Sequence, residues 1–311
     1  MQIVSFPDGR RPKWPKPIAA LGNFDGLHRG HLRLIEQVRC RAAERGGTPV
    51  AMIFDPHPPR VLRPDKAPPL LMTLDQKLEA FERAGLQGVA IVRFSLDLSR
   101  WDPETFVETV LIDWLRVSEV WVGENFLFGR DRSGTFTLLR ALGDDRGFRT
   151  EKIDPVRYKD FVVSSTRIRH LVAEGRVDEA GALLGHHYFI DGTVVHGDAR
   201  GRALGFPTAN LASTNELLPP AGIYATMAVV DGVQHPAVTS IGVRPTVTEN
   251  GPLTIETFLL DGEHALYDRR LRLVFVKWIR EEAKFDDLSA LKAQIALDCA
   301  RAREILDGIS V

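Results

Sequence analysis

The sequence predicts two folded units in series: an α/β domain on a parallel sheet, then a small antiparallel β-barrel with a closing α-helix. Three observations predict it. From Ile18 onward, continuous apolar runs of strand length alternate with segments of helical periodicity, the pattern of strands covered by helices on both faces. Beyond Gly185 the texture changes to short β-rich runs punctuated by Gly, Pro, Asn and Asp. The chain has 311 residues, 44% of them hydrophobic, which at roughly 100–200 residues per domain favours two domains, each with a core.

The first strand is expected at 18–21. A helix with Leu34, Ile35, Val38 and Ala42 on one face and a strand at 50–54 follow. The alternation continues with a helix at 74–84, a strand at 89–94, a helix at 103–116 with Pro103 in its tolerant first turn, and a strand at 119–122. Ser164, Ser165 and Thr166 open an amphipathic helix that buries Ile168, Leu171 and Val172 and stops at Gly175; a second short helix ends at Leu184 and Gly185. Strands are then expected at 188–195, 222–230, 237–241, 254–260 and 271–278. Leu288, Leu291, Ile295, Cys299, Ala302 and Leu306 recur at steps of three and four, so the last helix packs on the barrel. The boundary falls near Gly185, giving domains 1–185 and 186–311.

Forty Lys and Arg against forty-one Asp and Glu leave a net charge of −1. That lacks the basic excess of non-specific nucleic-acid or anionic-membrane binding. The two cysteines, Cys40 and Cys299, exclude a disulfide framework and any CxxC metal site, and fit a reducing compartment. The N-terminus lacks the apolar core of a signal peptide, and no run of about 18 apolar residues occurs. A cytoplasmic protein without nucleic-acid or membrane partners is expected, with homo-oligomerisation left open.

The segment Leu21-Gly22-Asn23-Phe24-Asp25-Gly26-Leu27-His28-Arg29-Gly30-His31 joins the first strand to the first helix. There a sheet's carboxyl edge meets a helix N-terminus, the usual crevice for a phosphate. Gly22, Gly26 and Gly30 let backbone N–H groups approach phosphate oxygens. His28 and His31 offer two imidazole donors to charge that builds up when an α-phosphate is attacked and pyrophosphate leaves. Taken singly these residues make a tight turn and a helix cap; strand, glycine-rich turn, HxGH and helix together favour chemistry. A lasting metal on His28 and His31 is disfavoured, because a structural site wants about four ligands.

GNFDGLHRGH is similar to the HxGH signature of nucleotidylyltransferases. With FDPHP at 54–58, VGENFLFG at 122–129 and SSTRIR at 164–169, the first half resembles the adenylyltransferase half of the bacterial bifunctional riboflavin kinase/FMN adenylyltransferases, or FAD synthetases. The resemblance implies a Rossmann-like fold in which Gly22, Asn23, Phe24, Gly26, His28 and His31, with Ser164, Ser165, Thr166 and Arg169, hold the ATP phosphates. It also implies that Asn125 and Phe128 seat the flavin; His57, between two prolines past a strand end, is either a turn histidine or, from its place at the same sheet's carboxyl end, a further flavin contact. An amide can pair with an isoalloxazine edge, a ring can stack on it, and hydroxyls at a helix start can take phosphate.

In the second half, Val195-His196-Gly197-Asp198-Ala199-Arg200-Gly201-Arg202-Ala203-Leu204-Gly205-Phe206-Pro207-Thr208-Ala209-Asn210 resembles the riboflavin kinase signature. Gly197, Gly201 and Gly205 would fold backbone over ATP, with Arg202 and Pro207 in the same stretch. Thr208 and Asn210 offer two neutral oxygens of the kind that complete a Mg²⁺ shell shared with ATP phosphates. By the resemblance Glu256 is the general base for the substrate hydroxyl, and Gly242, Arg244 and Pro245 lie near the flavin. Phe258 stands where relatives often carry histidine and Tyr267-Asp268 where Tyr-Gly is common, which bears on loop shape and flavin affinity.

The resemblance implies ATP-dependent phosphorylation of riboflavin to FMN by the barrel, then adenylylation of FMN to FAD by the first domain with release of pyrophosphate. Flavins are substrates and products here, not prosthetic groups. Two rivals are an adenylyltransferase of another substrate joined to an inactive barrel, and a flavin-binding or RNA-contacting regulator without turnover. PTAN together with Glu256 speaks against the first, and the intact site residues and near-zero net charge against the second.

Overall fold

The structure, a computed structural model, describes residues 1–197, 205–243, 253–262, 264–285 and 287–311. By contacts it forms two units, Met1–Pro69 with Leu74–Val163, and Leu70–Thr73 with Ser164–Val311.

The first unit holds a six-stranded parallel sheet of β1 (Gln2–Phe6), β2 (Pro17–Leu21), β3 (Thr48–Asp55), β4 (Gly88–Arg93), β5 (Glu119–Gly123) and β6 (Arg149–Ile153), in the order β1-β4-β3-β2-β5-β6. β2 is buried at every position, so its apolar run needs no alternation. On one face it meets α1 (Arg29–Arg45), which turns Leu34, Ile35, Val38 and Ala42 inward and ends on Gly46 at φ 59°. The other face belongs to a core cluster containing Ala19, Leu21, Val50, Met52, Val110 and Leu111.

Along the chain follow α2 (Pro58–Leu62), α3 (Leu74–Arg83), α4 (Leu96–Ser99), α5 (Pro103–Phe106) and α6 (Phe136–Arg146). The helix expected at 103–116 begins as α5, capped by Asp102, whose carboxylate accepts from Thr105 N at 2.7 Å. It then widens into a π-helical stretch, Val107–Trp114, that closes with Leu115 N donating to Val110 O at 2.9 Å. β1, α6, β6 and the hairpin of β7 (Arg157–Tyr158) and β8 (Phe161–Val162) have no counterpart in the sequence expectation. β1 and β6 are edge strands with exposed and half-buried positions throughout, and β6 reads Arg-Thr-Glu-Lys-Ile, so neither shows the buried apolar run of the central strands.

The next strand in sequence after β2, β3, lies on one side of it and β5 on the other, so the sheet reverses its direction of growth at β2. Leu21 stands opposite Met52 and Val122. The 22–31 loop therefore leaves the sheet at the topological switch point, where an open α/β sheet leaves a crevice beyond its strand ends.

In the second unit α7 (Ser165–Ala173) and α8 (Val177–Leu184) precede a closed antiparallel barrel. Its strands are β9 (Tyr188–Val195), β10 (Ala209–Ser213), β11 (Gly222–Val230), β12 (Val233–Val243), β13 (Leu253–Leu259) and β14 (Arg270–Arg280), ordered β10-β13-β12-β11-β14-β9. β10 was not expected: Ala-Asn-Leu-Ala-Ser has weak strand propensity. It nevertheless closes the barrel, pairing with β9 from Asn210 opposite Val195 to Ser213 opposite Gly192. A Cβ at Gly192 would stand 2.5 Å from Ala212 O, so only glycine permits that approach.

The last helix, α9 (Leu288–Leu306), buries Cys299, Ala302 and Leu306 as its periodicity predicts. Leu288, in the first turn, departs from the expectation and is 69% exposed. Asp298 is buried instead, its carboxylate receiving the Arg280 guanidinium at 2.9 and 2.6 Å. No helix among the described residues is long and apolar enough to cross a membrane.

Inside the barrel the buried hydroxyls of Thr226, Thr239 and Thr257 form a chain, with oxygen separations of 2.7 and 2.9 Å, that ends on Ala237 O. Thr239→Val removes the middle partner of two buried hydroxyls and is expected to cost about 1–3 kcal/mol of stability. Combining Thr226→Val, Thr239→Val and Thr257→Val should recover most of that loss. Urea denaturation of the full chain, followed by circular dichroism, reads both outcomes.

Candidate active sites

The loop after β2 is shaped by backbone. Gly22 N still donates to Met52 O at 3.2 Å, and then Phe24 (φ 49°), Gly26 (φ 84°) and Leu27 (φ 37°) take left-handed conformations that fold it back. Phe24 pins the fold: it is fully buried, edge-on to Phe81 with ring centroids 5.3 Å apart. As a candidate phosphate contact it therefore offers only its backbone.

His28 is the N-cap of α1, its Nδ1 accepting from His31 N at 3.3 Å. The two rings stack with centroids 3.6 Å apart and planes 12° from parallel. Gly30 leaves them room, since a Cβ there would lie 3.1 Å from His28 Cε1. Two imidazoles in that contact resist carrying charge together. The His31 pKa is held well below its ordinary value, by burial first and then by the neighbouring His28 and Lys77. His31 Nδ1 is buried without a hydrogen-bond partner among the described residues. Such an orphan costs about 1–3 kcal/mol and is the kind of group a bound phosphate satisfies.

Lys77 belongs to the same site and carries no motif. It is buried on α3, and its ammonium donates to Asn23 O at 2.7 Å, fixing the turn from below. Its only signal is its place one turn before the buried Phe81 on the same helix face.

His57 follows β3 and Asn125 follows β5, so both stand at the same sheet edge as the 22–31 loop. Asn125 is exposed. Phe128 is only 6% exposed, its ring packed on Phe106 and Phe126 with centroids 5.9 and 5.5 Å away. It is a core side chain, not an open stacking platform, and the half-buried Phe126 is the more accessible of the pair. In the second unit Ser164 caps α7, its Oγ accepting from Arg167 N at 3.3 Å. Ser165 and Arg169 are half-buried and Thr166 is exposed on the first turns.

On the barrel, Ile255 and Thr257 point inward while Glu256 faces outward, half-buried. The ladder places Asn210 opposite Glu256 on one side and Ser240 opposite it on the other. Thr208 donates its hydroxyl to Glu256 Oε2 at 3.3 Å. Gly197 lies against the Asn210 amide so closely that a Cβ would meet its nitrogen at 2.1 Å. Gly205 takes φ 85°, in the left-handed region, just before this segment. Next to Gly242, Glu282 adds a second carboxylate to this face: a Cβ at Gly242 would stand 2.3 Å from its Oε1. Pro207 and Thr208 line a pocket with Val194, Thr257, His264 and Tyr267. Of the two departures, Phe258 packs edge-on against Phe206, centroids 5.4 Å apart, while Tyr267 stacks on His196 at 4.0 Å and Asp268 has φ 63°. Gly201, Arg202, Arg244 and Pro245 lie outside the described residues.

Both arrangements suit phosphate chemistry. One sets two stacked imidazoles and a backbone turn beside a buried ammonium; the other sets a carboxylate beside a hydroxyl and an amide. The chain is thus a nucleotide-dependent transferase with two separate centres.

Comparison with known proteins makes the assignment specific. The FAD synthetase family model matches residues 11–167 and the riboflavin kinase model residues 184–306. The bifunctional riboflavin kinase/FMN adenylyltransferase of Pseudomonas fluorescens is 39% identical over 305 residues, 98% of each chain. Those of Escherichia coli K12 and Bacillus subtilis are 38% and 36% identical, each over at least 90% of both chains. A solved structure titled a macrolide-efflux protein from Streptococcus pneumoniae superposes with a TM-score of 0.87 at 26% identity, covering 100% of both chains. The chain belongs to the bifunctional riboflavin kinase/FMN adenylyltransferase family.

The depressed His31 pKa fixes a pH dependence. Below its ordinary value of 6.5 the unfolded chain takes a proton on His31 that the folded chain resists. The unfolded state then binds more protons, and stability falls as the pH falls. His31→Gln should flatten this slope by up to about 1.4 kcal/mol per pH unit. Urea midpoints of both proteins at about pH 7.5 and about pH 5.5 measure it.

Proposed function

We propose that the chain catalyses two successive steps of flavin cofactor synthesis. The barrel unit moves the γ-phosphoryl group of ATP to the ribityl hydroxyl of riboflavin, giving FMN and ADP. The α/β unit joins FMN to the AMP part of a second ATP, giving FAD and pyrophosphate. One observation carries this: models for both activities tile the chain in order, the stacked His28 and His31 inside the first and the Thr208, Asn210 and Glu256 cluster inside the second.

At the barrel centre Glu256 accepts the ribityl proton as the new O–P bond forms, and the Thr208 hydrogen bond orients its carboxylate. The Thr208 hydroxyl and the Asn210 amide oxygen are neutral oxygen donors that fit Mg²⁺ shared with ATP phosphates, which leaves the Glu256 carboxylate to take the proton. Bound there with ATP, Mg²⁺ would neutralise charge on the transferred phosphoryl group.

At the α/β centre no protein base is needed, because the FMN phosphate is already an anionic nucleophile. Its oxygen attacks the α-phosphorus and the bond to the departing pyrophosphate breaks. Backbone N–H groups of the 22–31 turn and the imidazoles of His28 and His31 stabilise the charge that develops. A neutral His31 keeps one ring N–H for that purpose without a second cation beside Lys77. Around the flavin we assign Asn125 to the isoalloxazine edge and ring contact to Phe126, with Phe128 supporting it from beneath. We place the enzyme in the cytoplasm, acting on riboflavin, FMN and ATP without nucleic-acid or membrane partners. The net charge of −1 and the free thiols Cys40 and Cys299 support that placement.

Glu256→Gln should lower FMN formation by about 10²–10⁴-fold and leave the conversion of added FMN to FAD nearly unchanged. Loss of both activities in a folded variant would contradict two independent centres. Joint His28→Ala and His31→Ala should make the protein stop at FMN, read by chromatography of the flavins; FAD formed at the wild-type rate would remove the imidazoles from the reaction.

A further inference from the structure

The roles assigned above leave one cluster on the barrel unused. His235 lies in β12, and Asp261 follows β13. The ladder pairs Ala237 with Leu259, and Leu260 N donates to Pro236 O at 2.8 Å, so pairing continues and sets Asp261 across from His235. Leu260 O accepts from the Arg303 guanidinium of α9 at 3.0 Å, which ties this backbone from a second side. Gly262, at φ 126°, turns the chain directly after Asp261.

The Asp261 carboxylate ends up between two imidazoles, 2.7 Å from His235 Nδ1 and 3.3 Å from His264 Nε2. The two rings are 4.4 Å apart at 61°, and one ligand atom from each of the three residues lies within 4.8 Å of the others. Ligands bound at about 2.0–2.2 Å around a tetrahedral ion sit about 3.3 Å apart, a separation that modest side-chain rotation reaches here.

We propose that His235, Asp261 and His264 bind one divalent transition-metal ion of the Zn²⁺ type, with its remaining coordination supplied by water. Two imidazole nitrogens and one carboxylate oxygen favour Zn²⁺ over Mg²⁺, which prefers oxygen ligands throughout. The site is chemically distinct from the oxygen-only donors Thr208 and Asn210. His264 also lines the pocket shared with Pro207 and Thr208, so the ion would fix one wall of that pocket against β12.

The test uses the full chain stripped of metal, with Zn²⁺ alone measured by equilibrium dialysis and Co²⁺ alone by its visible absorption. The wild type should bind one ion at this site. Asp261→Asn and, separately, His264→Ala should weaken binding about 100-fold or more and abolish the Co²⁺ band, with unchanged circular dichroism showing that both remain folded. Should a variant unfold, His235→Gln provides the same comparison from the strand side. Equal Zn²⁺ binding by wild type and folded variants, or no stoichiometric binding by the wild type, would overturn the proposal.

Discussion

The first centre depends on β2 being the buried central strand of a parallel sheet with its sequence neighbours on opposite sides. That arrangement opens a crevice beyond the carboxyl end of β2, between β3 and β5. The chain leaves through Gly22, turns on left-handed Phe24, Gly26 and Leu27, and is anchored by Phe24 in the core. That path puts His28 at the N-cap of α1 and stacks His31 on it, so the same hydrogen bond caps the helix and arranges the two imidazoles. Lys77 completes the arrangement by donating to the turn backbone, while burial first, and then the neighbouring His28 and Lys77, hold the His31 pKa down.

The barrel couples closure to chemistry in a similar way. β10 is only five residues long, yet it bridges β9 and β13, and its pairing sets Asn210 opposite Glu256. Thr208 sits just before that strand, so its contact with Glu256 exists only when the barrel is closed. Strand alternation then separates two polar systems on one strand: Thr257 joins the interior hydroxyl chain, while Glu256 faces outward.

What the sequence made legible follows from burial. The central strands and the inward face of α1 stand out because each position answers to the core. β1 and β6 stay hidden because edge strands tolerate charge, and β10 because its register, not its propensity, keeps it in the sheet. Two-turn periodicity cannot separate an α-helix from the π-helical stretch at Val107–Trp114. At the sites, His28 and His31 are proposed from strand, glycine-rich turn, HxGH and helix taken together, whereas Glu256 is proposed only through the family resemblance, since a strand glutamate carries no local signal. Phe24 and Phe128, expected as ligand contacts, have buried side chains. Lys77 and the cluster of His235, Asp261 and His264 meet only through tertiary packing and strand register, which no motif encodes.

The most direct measurement is a time course of the purified full chain with riboflavin, ATP and Mg²⁺, resolving riboflavin, FMN and FAD by chromatography and measuring pyrophosphate in parallel. Two centres acting in order predict that FMN appears first, that FAD follows with a lag, and that one pyrophosphate accompanies each FAD. FMN that accumulates without FAD, or no conversion of riboflavin at all, would contradict it.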